Sequence, residues 1–159
     1  MHVGVALRET IEDDLALFFE LQQDEIANRM AAFTAEDPTD RVAFDAHWAR
    51  LFANDAITNQ TILLDGELVG NAASWVQEGD REVTYWIARE HWGKGIATRA
   101  LAALVANEPT RPLYARVAKD NLGSIRVLEK CGFEIVGEER GFANARGAEI
   151  EELVLRLEH

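Results

Sequence analysis

At 159 residues and 17.8 kDa, 48% hydrophobic and 28% charged, the chain has the size and balance of one ordinary globular domain, which excludes wholesale disorder, collagen-like repeats and small disulfide scaffolds. Lys and Arg number 16 against 28 Asp and Glu, so the formal net charge of -12 disfavours nonspecific contact with nucleic acid or anionic membranes and favours cationic or neutral partners. One cysteine (Cys131), no apolar run near the roughly 18 residues of a membrane span, and a start (Met1-His2-Val3-Gly4) without a basic-then-apolar leader together predict a cytoplasmic protein, neither secreted nor inserted.

Residues 3–8 read as a short strand, after which Thr10 stands where a helix N-cap belongs, with Asp13 as its capping partner. Ile11, Leu15, Phe18, Phe19, Gln22 and Ile26 recur at helical spacing and predict one helix with Glu12, Asp14, Glu20 and Asp24 facing outward. Residues 34–40, with Pro38, break the pattern, and 41–54 carry Val42, Phe44, Trp48, Leu51 and Phe52 in a second, less regular helix. Residues 58–64 and 67–75 alternate as strands about Asp65-Gly66, a two-residue hairpin signal. Gly79-Asp80 leads to a third run at 81–87, making a three-stranded antiparallel meander. A helix over 95–107 puts Ile96, Ala100, Ala103 and Leu104 on one face and stops at Pro109. A strand at 113–117, a helix at 121–131 closed by Gly132, and strands at 133–137 and 149–157 complete an α+β order without internal repeats.

Charge is unevenly placed along this order. Between Arg89 and Lys130 there are eight basic residues (Arg89, Lys94, Arg99, Arg111, Arg116, Lys119, Arg126, Lys130) and four acidic ones, so a net-positive segment sits in a strongly acidic chain. That segment draws an anion, unless its charges are spent on surface pairs. Within it, Trp92-Gly93-Lys94-Gly95-Ile96-Ala97-Thr98 joins a strand to a helix. Its glycines permit close backbone approach, and the helix start offers unpaired N–H groups, a combination suited to phosphate. The loop is neither a P-loop nor a dinucleotide fingerprint, since it lacks the Gly-Lys-Ser/Thr ending and the third glycine. The histidines His2, His47, His91 and His159 are too scattered for a helical metal pair, so no metal is expected.

Tyr85-Trp86-Ile87, the loop 92–98, Asn121-Leu122-Gly123-Ser124 and Glu129-Lys130-Cys131-Gly132-Phe133, at these spacings, resemble the GCN5-related N-acetyltransferase (GNAT) family, most closely its ribosomal-protein-alanine N-acetyltransferase-like branch. The resemblance covers nearly the whole chain and implies one N-acetyltransferase domain over 1–159. The implied GNAT-type fold has a central, mostly antiparallel mixed sheet of about seven strands, with a bulge or splay, and four helices. It also implies acetyl-CoA as co-substrate, with the pyrophosphate on the backbone amides of Gly93, Lys94, Gly95, Ile96, Ala97 and Thr98. The pantetheine arm would lie along Trp86, Ile87 and Ala88 and touch Asn121 and Ser124. Trp92 stands where the family usually has Arg or Gln, and Ala97 where a glycine is often found; Trp92 is common in the branch resembled and reads as a variant of the same cofactor loop.

For chemistry, the resemblance makes Glu82 the candidate base, acting directly or through water, and strand alternation places it on one face with Thr84 and Trp86. Amides near Ile87 are candidates for holding developing oxyanion charge. Many family members carry a thiolate-side tyrosine where this chain has Leu128, and Ser124 is the substitute the branch suggests. Cys131 lies at a helix C-terminus, where the dipole disfavours a thiolate, so it reads as packing and the transfer as direct, in a ternary complex. The alternative is a non-catalytic CoA or acyl-CoA sensor or interaction protein with the same fold.

The acceptor side is expected in the first two helices and the loops at 77–80 and 141–147. Their Asp37, Asp40, Asp45, Glu78 and Asp80 suit a cationic amine such as a protein N-terminus or a small amine. Phe33, Phe44, Trp48 and Trp75 line that side or belong to the core. Homodimers occur in the family, and the final strands offer edges for pairing, but no residue pattern decides between monomer and homodimer.

Overall fold

The computed structural model describes residues 4–159; His2 and the first residue of the predicted 3–8 strand lie outside them. The chain runs β1 (Val5–Glu9), α1 (Leu15–Leu21), α2 (Glu25–Ala31), α3 (Arg41–Phe52), β2 (Thr58–Leu64), β3 (Glu67–Gln77), β4 (Asp80–Ile87), α4 (Ile96–Asn107), β5 (Leu113–Ala118), α5 (Leu122–Lys130), β6 (Glu134–Ala143) and β7 (Ala148–Leu157). The seven strands form one sheet in the order β1-β2-β3-β4-β5-β7-β6. Every neighbouring pair is antiparallel except β4 with β5, and this one parallel pair makes the sheet mixed. Of the two final strands only β6 is an edge, since β7 is enclosed between β5 and β6. Among the described residues no helix is long and apolar enough to cross a membrane.

The first predicted helix is two helices. The stripe through Ile11 to Ile26 is interrupted at Gln22–Asp24, where the Asp24 carboxylate turns back to accept hydrogen bonds from the N–H groups of Ile26 and Ala27 and so starts α2. The outward-facing Asp24 is therefore an N-cap, and the described residues form five α-helices instead of the expected four. The entry to α1 also differs from the expected Thr10–Asp13 pairing. Asp14 accepts from the Ile11 N–H at 3.0 Å, while the Thr10 hydroxyl meets that of Thr61 on β2 at 3.0 Å. The meander forms as predicted, turning at Asp65-Gly66 with both residues at positive φ.

Alternation along the strands divides the apolar residues between two layers. One face packs Ile62, Val69, Val83, Ile87, Leu113, Ala115, Val117 and Leu155 under Ile96, Leu101 and Leu104 of α4 and Ile125 and Leu128 of α5. The other is covered near β3 by a smaller cluster, Leu15 and Phe18 of α1 with Phe44 and Trp48 of α3, and near β5 by Ala32 and Phe33 against Ala118 and Ala143. The aromatic stripe of the second predicted helix is thus core: Phe44 and Trp48 are 7% and 6% exposed.

Asp14 ties these parts together. Its carboxylate receives both Arg8 guanidinium nitrogens at 2.7 Å and the Thr61 hydroxyl at 2.7 Å, joining β1, the start of α1 and β2. The Arg8 hydrogen bonds, with those from Ile11 and Thr61, hold its pKa down at about 2. A carboxylate depressed in the folded state stabilises it above the unfolded pKa and loses that contribution as pH falls through the folded value. Urea unfolding should therefore show stability declining by on the order of 2 kcal/mol between about pH 4 and pH 2 on account of Asp14. Asp14→Asn should be destabilised already at neutral pH and show a shallower acid decline; an unchanged slope would refute this role for Asp14.

Candidate functional site

The sheet opens at its parallel seam. β4 and β5 are in register only at Arg81↔Leu113 and Glu82↔Tyr114; beyond these, β4 stays on β3 through Gly70↔Ile87 while β5 follows β7 to Ala118↔Glu152. Gly70 is fixed by this geometry, because a Cβ there would collide with the Trp86 carbonyl oxygen. Two clefts border the gap, of about 400 and 440 Å³.

The first cleft lies between the end of β4, the loop before α4, and α5, with Ala27 and Met30 of α2 closing it. The Ala88 N–H donates to the Val69 carbonyl at 2.8 Å, a single 3-10 turn spans Arg89–His91, and the Trp92 indole N–H then reaches back to the Ile87 carbonyl at 2.8 Å. Gly93 and Gly95 adopt φ of 77° and 78°, the left-handed region that L side chains enter only under strain. Gly95 is the N-cap of α4 and has no side chain to cap it, so the first helical N–H groups are left for an anion. The His91 ring also lines this wall, and its Nδ1 is buried without a hydrogen-bond partner.

Ten of the twelve predicted cofactor residues stand on this cleft: Trp86, Ile87, Trp92, Gly93, Gly95, Ile96, Ala97, Thr98, Asn121 and Ser124. Ala88 is buried beneath it, and Lys94 projects to solvent. The basic segment divides by role. Arg126 and Lys130 stand on the cleft, while Arg89 pairs with Asp24, Arg111 donates to carbonyls of its own loop, and Lys119 pairs with Glu138 and Glu151.

The second cleft lies over the face of β4 and β5 that α2 approaches, with Phe33, Thr34, Trp75, Glu82, Arg116 and Glu152 in its walls. Glu82 is 4% exposed, and its carboxylate lies 3.3 Å from Arg116 Nε. Arg116 also pairs with Glu139 and, at 3.6 Å, with Glu152, so one guanidinium serves three carboxylates. Burial pushes the Glu82 pKa above the ordinary carboxylate range; Arg116 partly offsets this, and Glu152 and Asp80 add to it. Glu152 is raised as well, again chiefly by burial.

Five residues border both clefts: Ala31, Tyr85, Trp86, Asn121 and Ser124. Asn121 caps α5 by accepting from the Ser124 N–H, and the Ser124 hydroxyl lies 2.7 Å from that of Tyr85. Ser124 thus looks across to the sheet instead of capping its own helix. Burial pushes the Tyr85 phenol up to about 12, and its hydrogen bond with Ser124 offsets this only in part.

Other sequence expectations resolve differently. Of the four aromatic residues, Phe33 and Trp75 line the second cleft. Among the acidic candidates, Asp37 binds Thr39, Asp40 caps α3, Asp45 pairs with Arg41, Glu78 occupies a positive-φ turn position and Asp80 opens β4; none lines either cleft. The acidic wall is made by Glu82 and Glu152 instead. Cys131 lies off both walls, its thiol hydrogen-bonded to the Thr98 carbonyl and its pKa pushed up by burial, as suits packing. The sequence places Arg116 only within the basic segment and gives no sign of Glu152, because the Arg116–Glu82 contact depends on β4 lying beside β5 and the Arg116–Glu152 contact on β5 lying beside β7; it shows Tyr85 only as part of a motif.

The sequence profile of the Acetyltransferase (GNAT) domain matches residues 5–134. Aminoglycoside N(6')-acetyltransferase type 1 of Klebsiella pneumoniae is 30% identical over 153 residues, covering 84% of this chain and 76% of that protein. Among solved structures, Mycobacterium smegmatis RimJ in complex with CoA-disulfide superposes with a TM-score of 0.82 at 25% identity, covering 98% of this chain and 86% of that one. AAC(6')-Ib in complex with ribostamycin and coenzyme A superposes with a TM-score of 0.79 at 23% identity, covering 98% and 94%.

Proposed function

The chain belongs to the GNAT acetyltransferase family, and from that premise we propose that it moves an acetyl group from acetyl-CoA to a cationic primary amine by direct transfer, with donor and acceptor held together. The observation that carries this reading is the meeting of two clefts along one wall at Tyr85, Trp86, Asn121 and Ser124. A module that only bound CoA would need the first cleft alone.

The residues of the first cleft fit acetyl-CoA. The uncapped start of α4 and the two left-handed glycines suit a pyrophosphate, Arg126 and Lys130 supply positive charge, and the unpartnered Nδ1 of His91 offers a further polar contact. The open edge of β4 beside Trp86 and Ile87 suits the amide-bearing pantetheine arm. Bound there, acetyl-CoA supplies the acetyl group already activated as a thioester.

The second cleft takes the amine. Glu82 and Glu152 outweigh Arg116 in its walls, which favours an ammonium group, and Phe33, Trp75 and Trp86 add apolar and cation–π surface. Both an exposed protein N-terminus and a small polyamine or aminoglycoside have this chemistry. Glu82 receives the proton the amine must lose, directly or through one water, and its raised pKa brings it closer to the working range of a base. Backbone N–H groups at the splay near Ile87 hold charge developing on the carbonyl oxygen, and Ser124 faces the leaving sulfur. Cys131, off the walls with a raised pKa, takes no part.

Calorimetric titration with acetyl-CoA, with 3'-dephospho-CoA and ADP as controls, tests the first cleft. Binding should require the pantetheine arm, and Gly95→Glu should weaken it by more than about a hundredfold through charge repulsion and backbone strain. Normal binding by that variant would place the donor elsewhere.

Thiol release with a panel of amines tests the second. Glu82→Gln should lower kcat about 10²–10⁴-fold with little change in the KM for acetyl-CoA. The wild-type rate should fall as pH drops through the raised Glu82 pKa, and Arg116→Met, which removes the charge that lowers it, should move that acid limb to higher pH. An acid limb unmoved by Arg116→Met would assign the limb to another group.

A further inference from the structure

We propose that Tyr85 is a positioning residue whose hydroxyl donates to Ser124 Oγ and so turns the Ser124 proton toward the sulfur at which the thioester breaks. This rests on the reading of the two clefts as donor and acceptor sites. A donor in one and an acceptor in the other meet only along their common wall, and Tyr85 and Ser124 carry the hydroxyls of that wall, 2.7 Å apart.

The pair joins a strand to a helix across 39 positions of sequence, and each partner is held independently. Tyr85 packs its ring against the main core beneath α4 and α5, while the Ser124 backbone is fixed by the Asn121 cap. Two hydroxyls sharing one hydrogen bond have one proton left over. The phenol is the more acidic and the better donor. When it donates, the spare proton is that of Ser124, the smaller and more mobile group, facing both clefts. α5 itself supplies no tyrosine for the purpose, since Leu128 is 2% exposed in the core.

Tyr85 does not give up its proton. With its pKa pushed up to about 12, transfer to a thiolate of pKa about 8.5 would be unfavourable by roughly three orders of magnitude. The step therefore balances without it. The amine nitrogen forms the new C–N bond, and its lost proton passes to Glu82. The C–S bond breaks with its electron pair going to sulfur, and the thiolate, stabilised by the Ser124 hydrogen bond, takes its proton from solvent after the step.

The test needs no acceptor. The thiol of CoA bound at saturation is titrated by the ultraviolet absorbance of its thiolate in the wild type, Tyr85→Phe, Ser124→Ala, Ser124→Thr and the Phe/Ala double variant, each first checked for an intact melting transition. The bound thiol should titrate below free CoA. Tyr85→Phe and Ser124→Ala should each raise it by about half a unit to one unit, the double variant by no more than either, and Ser124→Thr should keep the wild-type value. In turnover, Tyr85→Phe should lower kcat about tenfold without changing the KM for the amine. CoA that binds but titrates alike in the wild type and Tyr85→Phe, or single effects that add in the double variant, would overturn the positioning role while leaving the donor site standing. Failure of the wild type to bind CoA would overturn the donor site and this proposal with it.

Discussion

The arrangement depends on how briefly β4 and β5 pair. Two residues in parallel register, Arg81 and Glu82 against Leu113 and Tyr114, hold the halves of the sheet together, and past them the edges separate. Had the ladder continued to Ile87, the backbone groups of both strands would satisfy one another and no gap would face either layer. β4 is held back against β3 instead, tightly enough that only glycine fits at position 70, and the Trp92 indole supplies the donor for the Ile87 carbonyl where the ladder would have done so. One side of the opening receives the uncapped start of α4, and the other receives α2 and its following turn. The two clefts, proposed above as donor and acceptor sites, thus border the same local failure of strand pairing.

That opening also sorts charge. Strand alternation sends Glu82 to one face of β4 and Tyr85 to the other, and on β5 it sends Arg116 with Ala118 to the α2 face while Ala115 and Val117 join the core beneath α4. The first cleft therefore meets Arg126, Lys130 and a helix N-terminus, whereas the second meets Glu82 and Glu152. In the proposed reading, a polyanionic donor and a cationic acceptor are thereby drawn to different clefts. The net charge of -12 gives no hint of the first cleft's positive wall, which arises where Arg126 and Lys130 of the basic segment stand beside the start of α4.

Much of this was legible in the chain, and the rest fails for identifiable reasons. The meander, the loop before α4 and the helix beginning at Asn121 are encoded by neighbours in sequence: a turn dipeptide, glycines that adopt left-handed φ, and a side-chain cap. Periodicity alone could not show that Asp24 ends one helix and starts another, because apolar spacing carries across the break and an outward-facing Asp and an N-cap Asp look alike until the backbone turns. Thr10 has the local pattern of a cap, yet its hydroxyl is drawn to Thr61, 51 positions away, and the cap falls to Asp14. The site divides in the same manner. Glu82, Asn121 and Ser124 stand in recognisable surroundings, whereas Arg116 meets Glu82 through the pairing of β4 with β5 and Glu152 meets Arg116 through that of β5 with β7, neither of which a local pattern encodes.

The balance around Glu82 follows from those non-local contacts. A carboxylate 4% exposed and without a counter-charge would stay protonated and could accept nothing. One held by an undivided guanidinium would be ionised but a weak base. Arg116 falls between these limits because its charge is divided among Glu82, Glu139 and Glu152, so each carboxylate receives only part of it. Three carboxylates against one guanidinium leave a surplus of negative charge, which suits the ammonium acceptor proposed above. In the proposed transfer, deprotonation of that ammonium removes the same charge that drew it in, and the proton passes to Glu82, the most buried of the three carboxylates. In the proposed reading, the burial that makes Glu82 expensive to ionise is also what raises its pKa toward the working range of a base.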